Sequence, residues 1–234
     1  MKSALKISVI IPTLNEAANI QGIIEFILNH GNNSIADLIV VDGGSKDATV
    51  KLAIQSGARV LISPMQSRAS QMNLGARHAA GDILYFVHAD VKLLPTFVED
   101  IRQSVSGMNA SGCYRYRFDS DKVMLRINGY CTRFDRLMCR GGDQTLFITK
   151  QAFENLGGYN EEYIVMEDYE FLIRLRKKIR FQIIPKEVNV SARKYENNSW
   201  LRVQVVNLLA FLLFYAKASP ATIRKTYYKL LNYR

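Results

Sequence analysis

Four short apolar runs punctuate the first ninety residues, at 6–12, 37–42, 58–63 and 83–87, each rich in Ile, Val and Leu and bounded by Gly, Asp, Asn, Pro or Ser. Runs of this length and composition predict fully buried strands. Between them the apolar spacing lengthens to three and four. Ile20, Ile23, Ile24, Ile27 and Leu28 predict a helix that begins at Asn15-Glu16. Gly43-Gly44 reads as a turn, with Ser45 or Asp47 as the N-cap of a helix to about Gln55. Met72, Leu74 and Ala79 predict a helix from Ser67 that Gly81 terminates. Strand and helix in strict alternation imply right-handed βαβ units and a parallel sheet covered on both faces.

The second half is less regular. A helix is expected from Leu94-Pro95 to about Val105, a strand over 113–118, helical spacing with interspersed arginines over 122–138, a turn at 141–144 and a strand over 145–149. A short helix over 150–156 should end at Gly157-Gly158. Glu167–Lys178 carries acids in its first turn and bases in its last, as the helix dipole favours. Short strands are expected over 181–184 and 188–192, and 203–216 is almost wholly apolar. That last run is shorter than the roughly 20 residues a bilayer-spanning helix needs.

With 48% hydrophobic residues among 234, the chain can bury a proper core. The net charge of +10 is unevenly placed: residues 1–110 carry nine basic and nine acidic side chains, and residues 111–234 carry 22 and 12. Such a distribution suggests an anionic partner, phosphates or a lipid surface; no nucleic-acid recognition motif accompanies it. Cys113, Cys131 and Cys139 lack the spacing of a disulfide framework or a zinc site, which fits a reducing compartment. The N-terminus has no signal-peptide pattern, so a cytoplasmic protein is expected. The apolar run at 203–216, flanked by Arg202, Lys217, Arg224, Lys225 and Lys229, either lies in an anionic membrane interface or is buried against the domain or a second copy.

Four groups of polar residues fall at the ends of expected elements. In open α/β sheets ligands bind beyond the carboxyl ends of the strands. Thr13-Leu14-Asn15-Glu16 follows the first strand, and Asp42 to Asp47 follows the second. Ser67-Arg68 with Gln71 and Asn73 offers a cation and amides to the same edge. His88 and Asp90 close the fourth strand at a spacing of two, a way to hold a hard divalent cation against a phosphate; the plain alternative is a cap and a structural histidine. Glu167-Asp168 at a helix start is either a dipole-compensating pair or a general base with its neighbour.

Taken together, ISVIIPTLNEAANI, VVDGGSKDAT, SRASQMNLGARHAAGDILYFVHAD and GGYNEEYIVMEDYEFLIRL resemble the family 2 glycosyltransferases of the GT-A fold. The similarity extends into SARKYENNSW and is strongest to a small bacterial subgroup with His-Ala-Asp in place of Asp-x-Asp, some of whose members are linked to arsenosugar formation. The resemblance implies an α/β GT-A architecture: a Rossmann-like, mostly parallel central sheet flanked by helices. Residues 1–195 would form the glycosyltransferase domain, with a nucleotide-sugar half at 1–110, an acceptor half at 111–195 and a basic helical tail at 196–234.

It further implies inverting transfer from a nucleoside-diphosphate sugar, a UDP-sugar in the first instance, to a hydroxyl acceptor, free or lipid-linked. Pro12, Thr13, Glu16, Asp42 and Arg68 would line the nucleotide, and Arg193 would lie on a loop closing over the diphosphate. Asp90 and His88 would hold Mg²⁺ or Mn²⁺. Asp168 would be the base and Glu167 its neighbour in the acceptor site. From its residues alone, the tail is expected to engage a membrane surface, at the inner face of the cell membrane, to engage a second copy, or to pack on the domain. Leu14 stands where many relatives carry an aromatic, and no Gln-x-x-Arg-Trp occurs, which argues against a processive synthase. The rivals are a non-catalytic nucleotide- or polyanion-binding module and a nucleotidyltransferase.

Overall fold

The computed structural model describes residues 5–105, 110–140 and 144–231. Its centre is a seven-stranded sheet in the order β3-β2-β1-β4-β6-β5-β7. Strands β1 (Ile7–Thr13), β2 (Ile35–Asp42), β3 (Arg59–Ile62) and β4 (Ile83–Phe86) pair in parallel. β6 (Leu146–Thr149) runs antiparallel to both β4 and β5 (Ser111–Phe118), and β7 (Phe181–Val190) is parallel to β5. The expected mostly parallel α/β sheet is present.

Alternate residues of each inner strand feed two cores. Ile7, Val9 and Ile11 pack with Ile20, Ile23, Ile24 and Ile27 of α1 (Ile20–Gly31), whereas Ile10, Ile39 and Val41 meet Ala69, Met72 and Ala76 of α3 (Arg68–His78). Helices on both faces explain why these strands read as continuous apolar runs rather than alternating ones. Because β2 and β4 flank β1 on opposite sides, the connections leaving β1 and β4 diverge. The carboxyl ends of β1 and β4 therefore mark the topological switch point, where sheets of this kind bind ligands in a crevice.

Several expectations need correction. The first helix begins at Ile20 rather than at Asn15-Glu16, and Leu28 is 48% exposed, not part of the buried stripe. The N-cap position of α2 (Thr49–Gln55) is Ala48, not Ser45 or Asp47, yet Asp47 Oδ1 accepts from the Thr49 nitrogen at 3.0 Å and so satisfies a first-turn amide from one residue upstream. Gly81 does not end α3, which stops at His78; it lies against β1, where a Cβ would come within 2.7 Å of the Ser8 nitrogen. Close approach to a backbone, not helix termination, is what requires glycine there.

The helical pattern over 122–138 resolves into α5 (Val123–Cys131) and a 3₁₀ turn at Leu137–Cys139. The two short strands expected over 181–192 are one strand, β7. It is interrupted in register where Tyr114 pairs with Ile184 but Arg115 with Glu187, so Pro185 and Lys186 bulge out. A proline cannot donate to the ladder, and the bulge accommodates it. Lys186 then reaches Asp100 of α4 (Phe97–Val105) at 2.6 Å. The turn expected at 141–144 falls mostly outside the described residues.

Gly157 and Gly158 both have positive φ, as expected after α6 (Lys150–Asn155). α7 (Glu167–Lys178) has the expected bounds. α8 (Trp200–Tyr215) and α9 (Pro220–Leu230) pack together through Val203, Val206, Ala210, Ile223 and Tyr227 and rest on Met166. Among the described residues no helix is long and apolar enough to cross a membrane.

Candidate active site

The floor of the crevice is made by two loops tied to one another. Asp42, 1% exposed, accepts from the backbone nitrogens of Gly44 and Ser45 at 2.8 Å each, and Thr13 Oγ1 lies 3.3 Å from its Oδ1. Asn15, in the left-handed region, donates its amide to Ser45 Oγ and accepts from the Lys46 nitrogen, both at 2.8 Å. Glu16 donates its own amide to Thr49 Oγ1 at 2.8 Å. Pro12, Thr13, Glu16 and Asp42 are thus all buried at one edge, in positions set by backbone hydrogen bonds.

The two amides expected to face a ligand do something else. Gln71 Nε2 donates to the carbonyls of Thr13 and Val41 at 2.8 and 2.7 Å, bracing the ends of β1 and β2. Asn73 donates to the Tyr159 carbonyl and accepts from the Tyr159 nitrogen, each at 2.9 Å, so it fastens α3 to the loop ahead of α7. Arg68, half-buried in the first turn of α3, stays with the site: its charge acts on both Glu167 and Arg193.

His88 and Asp90, both half-buried, follow β4 directly. Just beyond them Lys92 pairs with Asn189 of β7, its amide donating to the Asn189 carbonyl at 2.8 Å. That bridge carries the end of β7 across the crevice and delivers Arg193. The guanidinium makes a two-pronged ion pair with Glu16, with Nη1 3.0 Å from Oε2, and places Nη2 3.2 Å from Asp90 Oδ2. Arg193 is raised further above its ordinary range, chiefly by the Glu16 hydrogen bond. A positive charge therefore sits between Glu16 and Asp90, 177 residues away in sequence from the first of them.

Glu167 and Asp168 open α7, and Met166 before them is in the left-handed region at φ 73. For an unbranched non-glycine residue this costs on the order of 1 kcal/mol or more, a strain of the kind that gathers at functional sites. Met166 is held there by the α8 and α9 side chains packed over it. Glu167 is 4% exposed; burial first, and the Asp168 carboxylate second, push it up to about 8, while Arg68 opposes the shift. Tyr159, buried against Phe171 with ring centroids 4.5 Å apart, is raised by burial and then by the same two carboxylates. Neither Tyr159 nor the strained Met166 carried a signal in the sequence.

A carboxyl whose folded value lies near 8 against an ordinary 4.5 keeps its proton in the folded state while the unfolded chain loses it. Its stabilising contribution is complete below about pH 4.5 and disappears as pH rises through about 8. Glu167→Gln, always neutral, is expected to flatten that slope. By pH 9 the variant should melt on the order of 10 °C above the wild type relative to their difference at pH 5, read by thermal denaturation across pH. Parallel curves would show that Glu167 does not hold a proton in the fold.

Among the described residues no three His, Cys, Asp or Glu side chains form a cluster able to hold a metal alone. A hard cation bound with a diphosphate needs only one or two carboxylates, since phosphate oxygens complete its shell. Asp90, with 19% of its side chain exposed and already facing a positive charge, has the donor chemistry for that, with His88 as a second donor two residues away.

Residues 8–168 match the family model described as Glycosyl transferase family 2. A PGL/p-HBAD biosynthesis glycosyltransferase of Mycobacterium bovis is 30% identical over 178 residues, covering 71% of this chain and 68% of that protein. Two solved structures share the fold. One is a mannosyltransferase from Pyrobaculum calidifontis in complex with GDP-Man and Mn²⁺, with TM-score 0.70, 15% identity and coverage of 97% and 69%. The other is glucosyl-3-phosphoglycerate synthase from Mycobacterium tuberculosis with Mn²⁺, UDP-Glc and phosphoglyceric acid, with TM-score 0.65, 20% identity and coverage of 93% and 82%. The architecture expected from the sequence, a mixed α/β GT-A sheet flanked by helices, is the fold of this chain.

Proposed function

Because this chain belongs to Glycosyl transferase family 2, we propose that it is an inverting glycosyltransferase that moves a sugar from a nucleoside-diphosphate donor to a hydroxyl acceptor. The observation that carries this reading is the convergence of two carboxylate sets on one crevice. Glu16, Asp42 and Asp90 lie at the ends of β1, β2 and β4, and Glu167 with Asp168 lies at the start of α7, with Arg68 between them in electrostatic reach. Residues 1–110 supply the donor half, 111–195 the acceptor half, and 196–234 a basic helical tail.

In this account Pro12, Thr13 and Asp42 contact the nucleoside, Asp42 presenting a buried carboxylate to a base or ribose donor, and Glu16 and Arg68 border the diphosphate. Asp90 and His88 would hold Mg²⁺ or Mn²⁺. Bound there, such a cation would neutralise charge on the departing diphosphate. Asp168 accepts the proton of the incoming hydroxyl as its oxygen bonds to the anomeric carbon. The bond from that carbon to the diphosphate oxygen breaks, and nucleoside diphosphate leaves with the electron pair. One displacement inverts the anomeric centre.

Glu167, raised to about 8 by burial and then by the Asp168 carboxylate, favours its protonated form at neutral pH, so two adjacent carboxyl groups take different tasks from their environments. UDP-sugars are the first donors to test and GDP-mannose the second, since structural relatives are bound to UDP-Glc and GDP-Man. Within the family we place the chain with the small bacterial subgroup carrying His-Ala-Asp, some of whose members are linked to arsenosugar formation, so an arsenosugar precursor is one acceptor to try.

Arg193 is assigned to the diphosphate: when the donor enters, its guanidinium exchanges carboxylate partners for phosphate oxygens. Arg193→Ala is expected to raise the donor Kd about tenfold, read by calorimetry. Unchanged donor affinity and turnover would remove Arg193 from the site. The function itself is tested by incubating the protein and Mn²⁺ with a panel of sugar nucleotides. Release of nucleoside diphosphate supports transfer, whereas pyrophosphate release would indicate a nucleotidyltransferase and no turnover of any donor a binding module.

A further inference from the structure

We propose that the outward face of α8 docks on an anionic lipid bilayer. A helix apolar nearly all round is expected to be buried on every side. α8 is buried on one: Val203, Val206 and Ala210 pack against Met166, Ile223, Tyr227 and Leu231. Leu201, Val205, Leu208, Leu212 and Tyr215, spaced by alternating fours and threes, form a single stripe on the opposite face and are each 55 to 65% exposed. Five large apolar side chains in one exposed row are an interaction surface rather than scattered surface residues.

Charge decides the occupant. From residue 197 to 234 the sequence contains no Asp or Glu, while Arg202, Lys217, Arg224, Lys225 and Lys229 border the stripe or lie on the exposed side of α9. A second copy meeting this face through a two-fold contact would set one cationic tail against another, with no carboxylate within the tail to offset the repulsion. Anionic headgroups supply that complement, and the acyl boundary accepts the apolar row, with Tyr215 and Tyr228 suited to headgroup level. At 16 residues α8 lies in the interface plane and does not span it.

The inner face of α8 covers Met166, the residue ahead of Glu167, so the docked bilayer lies about one helix diameter, ~10 Å, from the α7 carboxylates. An acceptor hydroxyl on a lipid or lipid-linked carrier would meet the site from that side. This consequence rests on the proposed transfer reaction; docking itself does not.

The test is co-sedimentation of the full chain with phosphatidylcholine vesicles with and without phosphatidylglycerol. The expected result is binding to the anionic vesicles only, weakened by salt. The double variant Leu208→Glu, Leu212→Glu should reduce the bound fraction about tenfold. Its melting temperature and nucleotide binding should not change, since both positions face outward. No binding to anionic vesicles, binding insensitive to the double variant, or a wild-type dimer that the variant splits into monomers would overturn the proposal. Nucleotide binding measured in parallel separates failure of docking from failure of the donor site.

Discussion

Asp168→Asn is expected to lower turnover about a thousandfold while leaving nucleotide affinity within about threefold of wild type. Asparagine matches the shape of the carboxylate but cannot take the acceptor's proton, and general-base contributions are typically of this size. The fold should tolerate the change, because Asp168 is half-buried in the first turn of α7 and Asn keeps its hydrogen-bonding shape. Steady-state transfer kinetics and calorimetric nucleotide binding on the same preparation check the two halves. Loss of nucleotide affinity with the activity would place Asp168 in the donor site instead of the acceptor site.

The second large effect is expected at Asp90. Asp90→Ala removes the carboxylate that faces the Arg193 guanidinium at 3.2 Å and that the account assigns to the cation. In the wild type, Mn²⁺ should tighten nucleoside-diphosphate binding by on the order of tenfold or more, and chelation should abolish the gain. In the variant, affinity should be the same with and without Mn²⁺. The arrangement also predicts direct competition, since a cation at Asp90 must displace Arg193 from it. If the wild type binds nucleotide equally well in chelator, the cation assignment fails whatever the variant does.

Legibility followed locality. The buried parallel strands were visible because both of their faces are covered, so composition alone marked β1, β2 and β4. α7 was visible to the residue because its acids and bases follow the dipole. What depends on pairing across the chain was not visible. The insertion of antiparallel β6 between β4 and β5 carries no local mark, and the bulge at Pro185-Lys186 looked like a gap between two strands.

The site divides in the same way. Thr13, Glu16, Asp42 and Asp90 stand at strand ends, where the topology alone makes them candidates. Gln71 and Asn73 were misread because an amide near a site looks the same whether it meets a ligand or braces a loop. Their hydrogen bonds to Thr13, Val41 and Tyr159 are made by residues 30 to 86 positions away. The upward shift of Glu167 comes chiefly from burial in the fold, and nothing in Glu-Asp as a dipeptide announces it. The exposed row on α8 was hidden by its own composition, since Val203 and Val205 read alike and only the packing on Met166 tells them apart.

The central claim is a nucleoside-diphosphate site completed by a cation at Asp90. Its most direct test is thermal denaturation of the wild type and Asp90→Ala with UDP, GDP, CDP and dTDP, each with and without Mn²⁺. A ligand that binds only the folded state must raise the melting temperature. A rise is expected with one nucleotide, dependent on Mn²⁺ in the wild type and independent of it in the variant. No rise with any nucleotide, or a rise indifferent to Mn²⁺ in the wild type, would contradict it.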